Sequence, residues 1–468
     1  MRATSLFVPL VAASLYAART PSANAQASVS DPTASLLLEL IRANTTSPPG
    51  NERRVAEVLA PKFRAVGVDV KIIETPDSSK AIIVARLKGD GSKRPVLLAA
   101  HADVVGVERE KWSVDPFAGV IQNDHVIGRG AIDFKGGMAV FARAVMMLAE
   151  KKIKLARDVI FVAEADEEGG GSYSTSWLAR EHWADIDAEF ALNEGGWIMN
   201  GDNGKVRYVS ISTADKASIP LIVTAKGTST HSSMPRPDNA IFALSRALAK
   251  ISLVETPLVI TPETKKFFTA LSRTSTPPMS GYFADVVGDD PARARPADSV
   301  ISRDPLLHAL IRNTIAPVII NGGFRSNVIP GSAEATVNLR MIPGSDPAAL
   351  VAELKRIVAD SAIEFSLGAR TYAATPVSSE NTDLYRALER AAKAQFPGAE
   401  VTPYLFQAGT DAGAWRARNI PVYGIYPYPI DPDELTRMHG NDEKVSIASL
   451  RQGTEMIYRM LLEVAGKR

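Results

Sequence analysis

Three short, wholly apolar runs in the first half of the chain each lead into a titratable side chain. Val96-Leu97-Leu98-Ala99-Ala100 meets His101-Ala102-Asp103, and Val159-Ile160-Phe161-Val162-Ala163 leads to Ala165-Asp166-Glu167-Glu168-Gly169-Gly170-Gly171. Phe190-Ala191-Leu192 continues as Asn193-Glu194-Gly195-Gly196. Runs of this length, bounded by turn formers, read as buried strands. Strand-like and helical stretches alternate from Val55 to Leu192, among them Ile82 to Ala85 and the apolar helix from Met138 to Ala149. That alternation predicts an α/β fold with helices over both faces of a sheet. Carboxylates at a strand end that open into glycine do little for a core. Ligand sites in open α/β sheets lie at the carboxyl ends of strands, so these residues are placed to hold a metal or move a proton.

His101 and Asp103 are two apart on an extended segment and so project to the same side. A neutral imidazole is a good zinc ligand, and a neighbouring carboxylate commonly fixes its tautomer. Asp133 sits in the glycine-rich turn Gly128-Arg129-Gly130-Ala131-Ile132-Asp133-Phe134-Lys135-Gly136-Gly137, where the ordinary use of Asp is as a helix N-cap. His439 stands in Arg437-Met438-His439-Gly440-Asn441-Asp442-Glu443, ahead of a final helix. The chain has no cysteine, so the inventory suits a divalent ion held by nitrogen and oxygen and excludes a thiolate site. It holds more acids than one tetrahedral zinc needs, and a carboxylate bridging two ions in a hydrolytic site explains the surplus.

These motifs resemble, in order, those of the dizinc metallopeptidase family of aminoacylase, carboxypeptidase S, glutamate carboxypeptidase, acetylornithine deacetylase and succinyl-diaminopimelate desuccinylase. The Glu-Gly-Gly form at Glu194 is most similar to the carboxypeptidase S and N-acyl-amino-acid hydrolase branch, although Asn193 stands where that branch commonly has Asp. The resemblance implies that His101 and Glu194 each bind one of two ions and that Asp133 bridges them. It implies further that Glu168 and His439 complete the ligand set, that Asp103 orients His101, and that Glu167 is the general base. The ions would be zinc, with cobalt or manganese as alternatives. The implied fold is a zinc-peptidase-like mixed sheet with flanking helices, carrying an inserted α+β sandwich that serves as lid and dimerisation domain.

The length of 468 residues asks for more than one core. A net charge of +1 with no basic stripe argues against a nucleic-acid partner. At the N-terminus, Arg2 precedes an apolar run from Leu6 to Ala18, and Ala23-Asn24-Ala25 offers small residues at cleavage spacing. This is the outline of a secretory signal over residues 1–25, too short for a span of ~20 apolar residues, and it predicts a secreted or periplasmic protein with no stable membrane span.

The pattern divides the remainder into 28–207, the first part of the metal-binding domain; 208–373, the lid; and 374–468, the second part. Within the lid, Ile219 to Ala225, Ala333 to Arg340 and Ile363 to Leu367 read as strands, and Asn239 to Ile251 and Asp346 to Ala359 as helices. Thr274 to Ser302, with Pro277, Pro278, Pro291 and Pro296, reads as a loop insert.

The lid carries its own candidates. Gly227-Thr228-Ser229-Thr230-His231 reads by pattern as a turn with an exposed His. By resemblance, His231 reaches the substrate carbonyl oxygen, commonly across a homodimer interface. Asn327, Gly409 and Thr410 fall in family loops near the substrate, and Arg340 would pair with a substrate carboxylate through two parallel hydrogen bonds. The expected activity is metal-dependent hydrolysis of an amide in N-acyl amino acids or short peptides with a free C-terminal carboxylate. Rival readings are an aminopeptidase or dipeptidase of the same clan, and an inactive binding protein that keeps the fold.

Overall fold

The computed structural model describes residues 30–170, 172–368 and 375–467, so the expected signal segment lies outside the described residues. A ten-stranded sheet dominates. From one edge its order is Asp69–Glu74, Ala81–Leu87, Val159–Glu164, Val96–His101, Phe190–Asn193, Val422–Gly424, Val206–Asp215, Ile198–Asn200 and Pro429–Ile430, with Glu400–Phe406 also pairing to Val206–Asp215. Val159–Glu164, Val96–His101, Phe190–Asn193 and Val422–Gly424 run parallel to one another. The first two are buried at every position, as strands covered on both faces must be. Parallel direction puts the carboxyl ends of all four at one sheet edge, although the fourth comes from more than two hundred residues later in the chain.

The helix Lys135–Glu150 lies across the sheet and is buried at most positions. Its glycine-rich start has a steric reason: a Cβ on Gly137 would lie 2.2 Å from the Phe134 ring. The final helix, Ile447–Ala465, packs against it and places the C-terminal segment in the same core as the first residues described.

A second sheet of four strands, in the order Thr314–Gly322, Ser332–Met341, Ala217–Lys226 and Ile363–Leu367, is antiparallel throughout. The helices Ala240–Ile251 and Pro347–Val358 cover one face and bury Ala243, Leu244, Ala247, Leu350 and Leu354 in a separate core. Asn239 and Asp346 cap these helices with their side chains.

Two boundaries differ from the sequence reading. Residues 208–215, placed there in the lid, belong to the strand Val206–Asp215 of the large sheet, and the small sheet starts only at Ala217. The expected loop 274–302 is helical: Pro262–Thr274, Met279–Val286, Pro291–Ile301 and Pro305–Leu310 form a helical insert. Its apolar side chains Phe267, Phe268, Phe283, Val286 and Ile301 join the core of the large sheet, not that of the lid. Two of the four prolines that suggested a loop sit at helix starts, Pro278 as an N-cap and Pro291 in a first turn. Pro291 and Pro305 occupy first turns, each behind a capping aspartate, Asp290 and Asp304. Pro296 lies inside a helix.

Candidate metal centre and cleft

The parallel strand ends assemble the site. His101 closes its strand, and its Nε2 lies 3.1 Å from Asp133 Oδ1 and 3.4 Å from Glu194 Oε2. His439 Nε2 approaches from the C-terminal segment to 3.1 Å from both Asp133 Oδ2 and Glu168 Oε1. Two donor groups result, His101–Asp133–Glu194 and Asp133–Glu168–His439, each with its ligand atoms within 4.8 Å of one another. Asp133 belongs to both, one oxygen facing each side. Its side chain is therefore not a helix cap; the N-cap position is Phe134, with no side-chain cap bond.

The donor set fits a pair of divalent cations. It is nitrogen and oxygen throughout, and its charges call for positive partners. Burial alone would lower the His101 pKa, but the charge of Glu194 and contacts with Asp103 and Asp133 hold it well above the ordinary value. Burial opposes protonation of His439 too, yet Asp133 and Glu168 push its pKa up to about 11. Burial raises Asp133, and the two imidazoles outweigh it and hold this carboxylate low. Glu194 is pushed up to about 7, chiefly by burial. Imidazolium protons thus supply the positive charge that a divalent ion supplies on displacing them.

Glu167 and Glu168 follow Asp166, a non-glycine residue at φ +61°. That left-handed conformation is held by a buried triad. Lys80 pairs with the carboxylate of Asp166 and lies 3.5 Å from Glu52, while the Asp166 N–H donates to Glu52 at 3.2 Å. Asp103 meets His101 Nδ1 through both its carboxylate, at 3.7 Å, and its backbone carbonyl, at 3.0 Å, and the carboxylate also accepts the N–H groups of Glu167 and Glu168 at 3.1 and 3.0 Å. Asp103 therefore ties the imidazole to the acidic loop. Burial, then the charge of Glu194, raises Glu167 well above the ordinary carboxyl range.

Residues without an assigned role in the sequence reading complete the frame. Glu443 is fully buried and accepts the N–H groups of Gly130, Ile132 and Asp133 and an Nη1–H of Arg129, at 2.6 to 3.1 Å. It fixes the Asp133 turn from the far end of the chain. Its one sequence signal was its place in the His439 segment. Asn193, at the position where Asp is common, accepts the Glu194 N–H at 2.8 Å.

Above the donor groups a cleft opens between the large sheet and the lid. Glu167, Glu168, Glu194 and His439 line its floor, and Tyr426, Phe406, Gly409 and Met438 its sides. Ser218, Asn338 and Arg340 reach in from the lid sheet, where Ser218 is the cross-strand neighbour of Arg340. Arg340 and Gly409 thus line the same cleft as the donor groups. Thr410 is buried behind the cleft, donating to Asp215 Oδ2 at 2.7 Å. His231 and Asn327 lie outside the cleft. His231 is exposed on a two-stranded ribbon, paired with Val328, and its Nδ1 is 2.8 Å from Ser233 Oγ. Asn327 is exposed on the adjoining loop, and its carbonyl accepts the Ser232 N–H.

Residues 97–463 match the family described as peptidase family M20/M25/M40. The chain is 30% identical over 390 residues to the Dictyostelium discoideum protein named probable carboxypeptidase S-like 2, covering 81% of this chain and 73% of that one. It is 29% identical over 378 residues to the N-fatty-acyl-amino acid synthase/hydrolase PM20D1 of Homo sapiens, covering 80% and 74%. Its fold is similar to the crystal structure of the M20 family metallo-carboxypeptidase Sso-CP2 from Sulfolobus solfataricus, with a TM-score of 0.70 at 17% identity over 93% and 99% of the two chains. By sequence and by fold, the chain belongs to peptidase family M20/M25/M40 and is an enzyme that acts on amide bonds.

Proposed function

We propose that the protein hydrolyses the amide bond of N-acyl amino acids or short peptides that carry a free C-terminal carboxylate. The observation that carries this reading is Arg340, a guanidinium on the lid wall of the same cleft as Glu167 and the two donor groups. A guanidinium suits a carboxylate and repels an α-ammonium, which sets this reading against an aminopeptidase. Phe406, Ala408 and Met438 give the cleft an apolar side suited to an acyl chain, and one relative bears the name of an N-fatty-acyl-amino acid synthase/hydrolase.

His101, Asp133 and Glu194 would hold one ion, and Asp133, Glu168 and His439 the other. Held there, two divalent ions, zinc by preference with cobalt or manganese as alternatives, would supply a water of lowered pKa and a Lewis acid for the substrate carbonyl. Glu167 takes the proton of that water and passes it to the leaving amine, acting first as base and then as acid. Arg340 holds the carboxylate end so that the scissile carbonyl lies over Glu167.

His231 would donate to the developing oxyanion from the lid of a second copy. Supporting this are its position outside its own cleft and an exposed apolar strip on the lid. Val318, Ile319 and Ile320 lie on the edge strand Thr314–Gly322, with Phe242 on the helix Ala240–Ile251 and Phe324 nearby. An open edge strand with apolar side chains favours pairing with another copy. Export remains a reading of residues 1–25 alone, tested by N-terminal sequencing of the mature protein.

The substrate reading is tested by comparing kcat/KM for an N-acyl amino acid, its carboxyl methyl ester and a free-amine dipeptide amide. Loss of a charge-assisted pair to the carboxylate, about 1.5–3 kcal/mol, is expected to lower kcat/KM by roughly 10- to 100-fold for the ester. Preference for the free-amine amide would overturn the reading.

A further inference from the structure

Tyr426 follows the fourth parallel strand, Val422–Gly424, so its side chain arrives at the same sheet edge as His101 and Glu194. Its hydroxyl lies 3.0 Å from Asp133 Oδ1 and 3.1 Å from Glu194 Oε2. These are the same two oxygens that lie 3.1 and 3.4 Å from His101 Nε2. Donors about 2.0–2.1 Å from a small tetrahedral ion stand roughly 3.3 Å apart, and the two oxygens stand at that spacing from His101 Nε2.

The hydroxyl is held in place from all sides. The ring stacks on Trp197 at 4.4 Å and 13°, and meets Phe134 edge-on at 5.2 Å. The Tyr426 N–H donates to the Gly196 carbonyl at 2.6 Å, and the Ile425 N–H to the Asn193 carbonyl at 2.9 Å. The backbone that carries Tyr426 is therefore bonded to the backbone on either side of Glu194. Tyr428, two residues on, serves a different purpose, donating to the Ile132 carbonyl.

A phenol has one proton and two carboxylates to give it to, and each carboxylate oxygen keeps a further lone pair for a cation. We propose that Tyr426 is a positioning residue of the metal centre: its hydroxyl braces Asp133 against Glu194, so that the His101–Asp133–Glu194 donor set is assembled before an ion arrives. This rests on the two-ion reading and adds to it a residue that no motif of the sequence had marked. The energetic reason is preorganisation. Two carboxylate oxygens forced together repel, and a shared O–H between them offsets part of that repulsion in the ion-free protein. Hydrogen-bond partners of metal ligands typically change metal affinity by about 10- to 100-fold when removed.

The test is Tyr426→Phe in the full-length protein, which keeps the ring and its stacking and removes only the hydroxyl. Ion-free wild type and variant are titrated with cobalt alone, followed by calorimetry and by the visible absorption of the bound ion. The same titration in a His439→Ala background isolates the His101 site. The expected result is a loss of about 10- to 100-fold at that site and a smaller change at the other. Two sites in the variant as tight as those of wild type would overturn the proposal and leave the two-ion reading standing. A variant whose ion-free form melts lower, with ion affinity falling equally at both sites, would overturn it in favour of a packing role. Wild type that binds no divalent ion would overturn both.

Discussion

Asp133 is the residue on which the centre turns, with one oxygen toward His101 and the other toward His439. Asp133→Ala should therefore lower the occupancy of both ions, and His439→Ala mainly that of one. Metal analysis after dialysis separates the two outcomes, and single-ion losses in both variants would contradict a bridging role. His101, Asp133, Glu167, Glu168, Glu194 and His439 could be picked out from sequence because each sits where a core residue would not, at a strand end or in a glycine-rich turn. The residues that hold them could not. Glu443, Tyr426 and the Lys80–Glu52–Asp166 triad act through burial and through partners distant in the chain, and neither leaves a local pattern. Asp103 was legible in part: its type and spacing pointed to the imidazole, and its further bonds go to backbone N–H groups that only the folded loop presents.

At the scale of elements, three of the four parallel strands were readable from unbroken apolar runs, and the sheet-end rule then located the chemistry; the three-residue strand Val422–Gly424 left no such run. The helical insert was missed for a reason that lies in the same alphabet. Asp346-Pro347 was read as a helix start, and Asp290-Pro291 and Asp304-Pro305 carry the identical cap and first-turn signal. Proline density over 274–302 masked it, because a proline in a first turn and a proline in a loop look alike without the packing that decides between them.

The junction of the two sheets makes a prediction of its own. Lys216 links Val206–Asp215 to Ala217–Lys226, and its ammonium group reaches the carbonyls of Ala309 and Arg312 at 3.0 and 2.7 Å. Burial, with the charge of Arg340 behind it, lowers its pKa from 10.5 to about 7. The unfolded chain takes up this proton below its ordinary value, and the folded chain only near 7. Stability is therefore greatest above the unfolded value and falls as pH drops from about 10 to about 7. Lys216→Met removes that slope, while the two carbonyls it leaves without a donor cost the same at every pH. Denaturant unfolding at pH 7.5 and 9.5 should show wild type gaining stability on the variant at the higher pH. Parallel changes in the two proteins would mean that the lysine is charged in the fold.

Over the whole molecule, one site draws on both ends of the chain and on the lid between them. Asp133 and Glu167 come from the first part, His439 from the last, and Arg340 from the inserted sheet. That arrangement lets the cleft be lined by two bodies with separate cores. His231 stands apart from it. If a second copy supplies His231, mixing inactive Glu167→Gln with inactive His231→Ala protein should restore part of the activity, because one site of a mixed dimer has both groups intact. No recovery despite proven subunit exchange would confine His231 to its own chain. On the proposed function, water is activated at this centre and Glu167 carries its proton, with or without a second copy. Glu167→Gln preserves the shape of the side chain and removes its basicity. The measurement is metal content and amide hydrolysis on the same preparation of this variant. Two ions retained per chain, with turnover reduced by about 10²- to 10⁴-fold or more, is the predicted result. Two ions retained with most of the activity intact would contradict it.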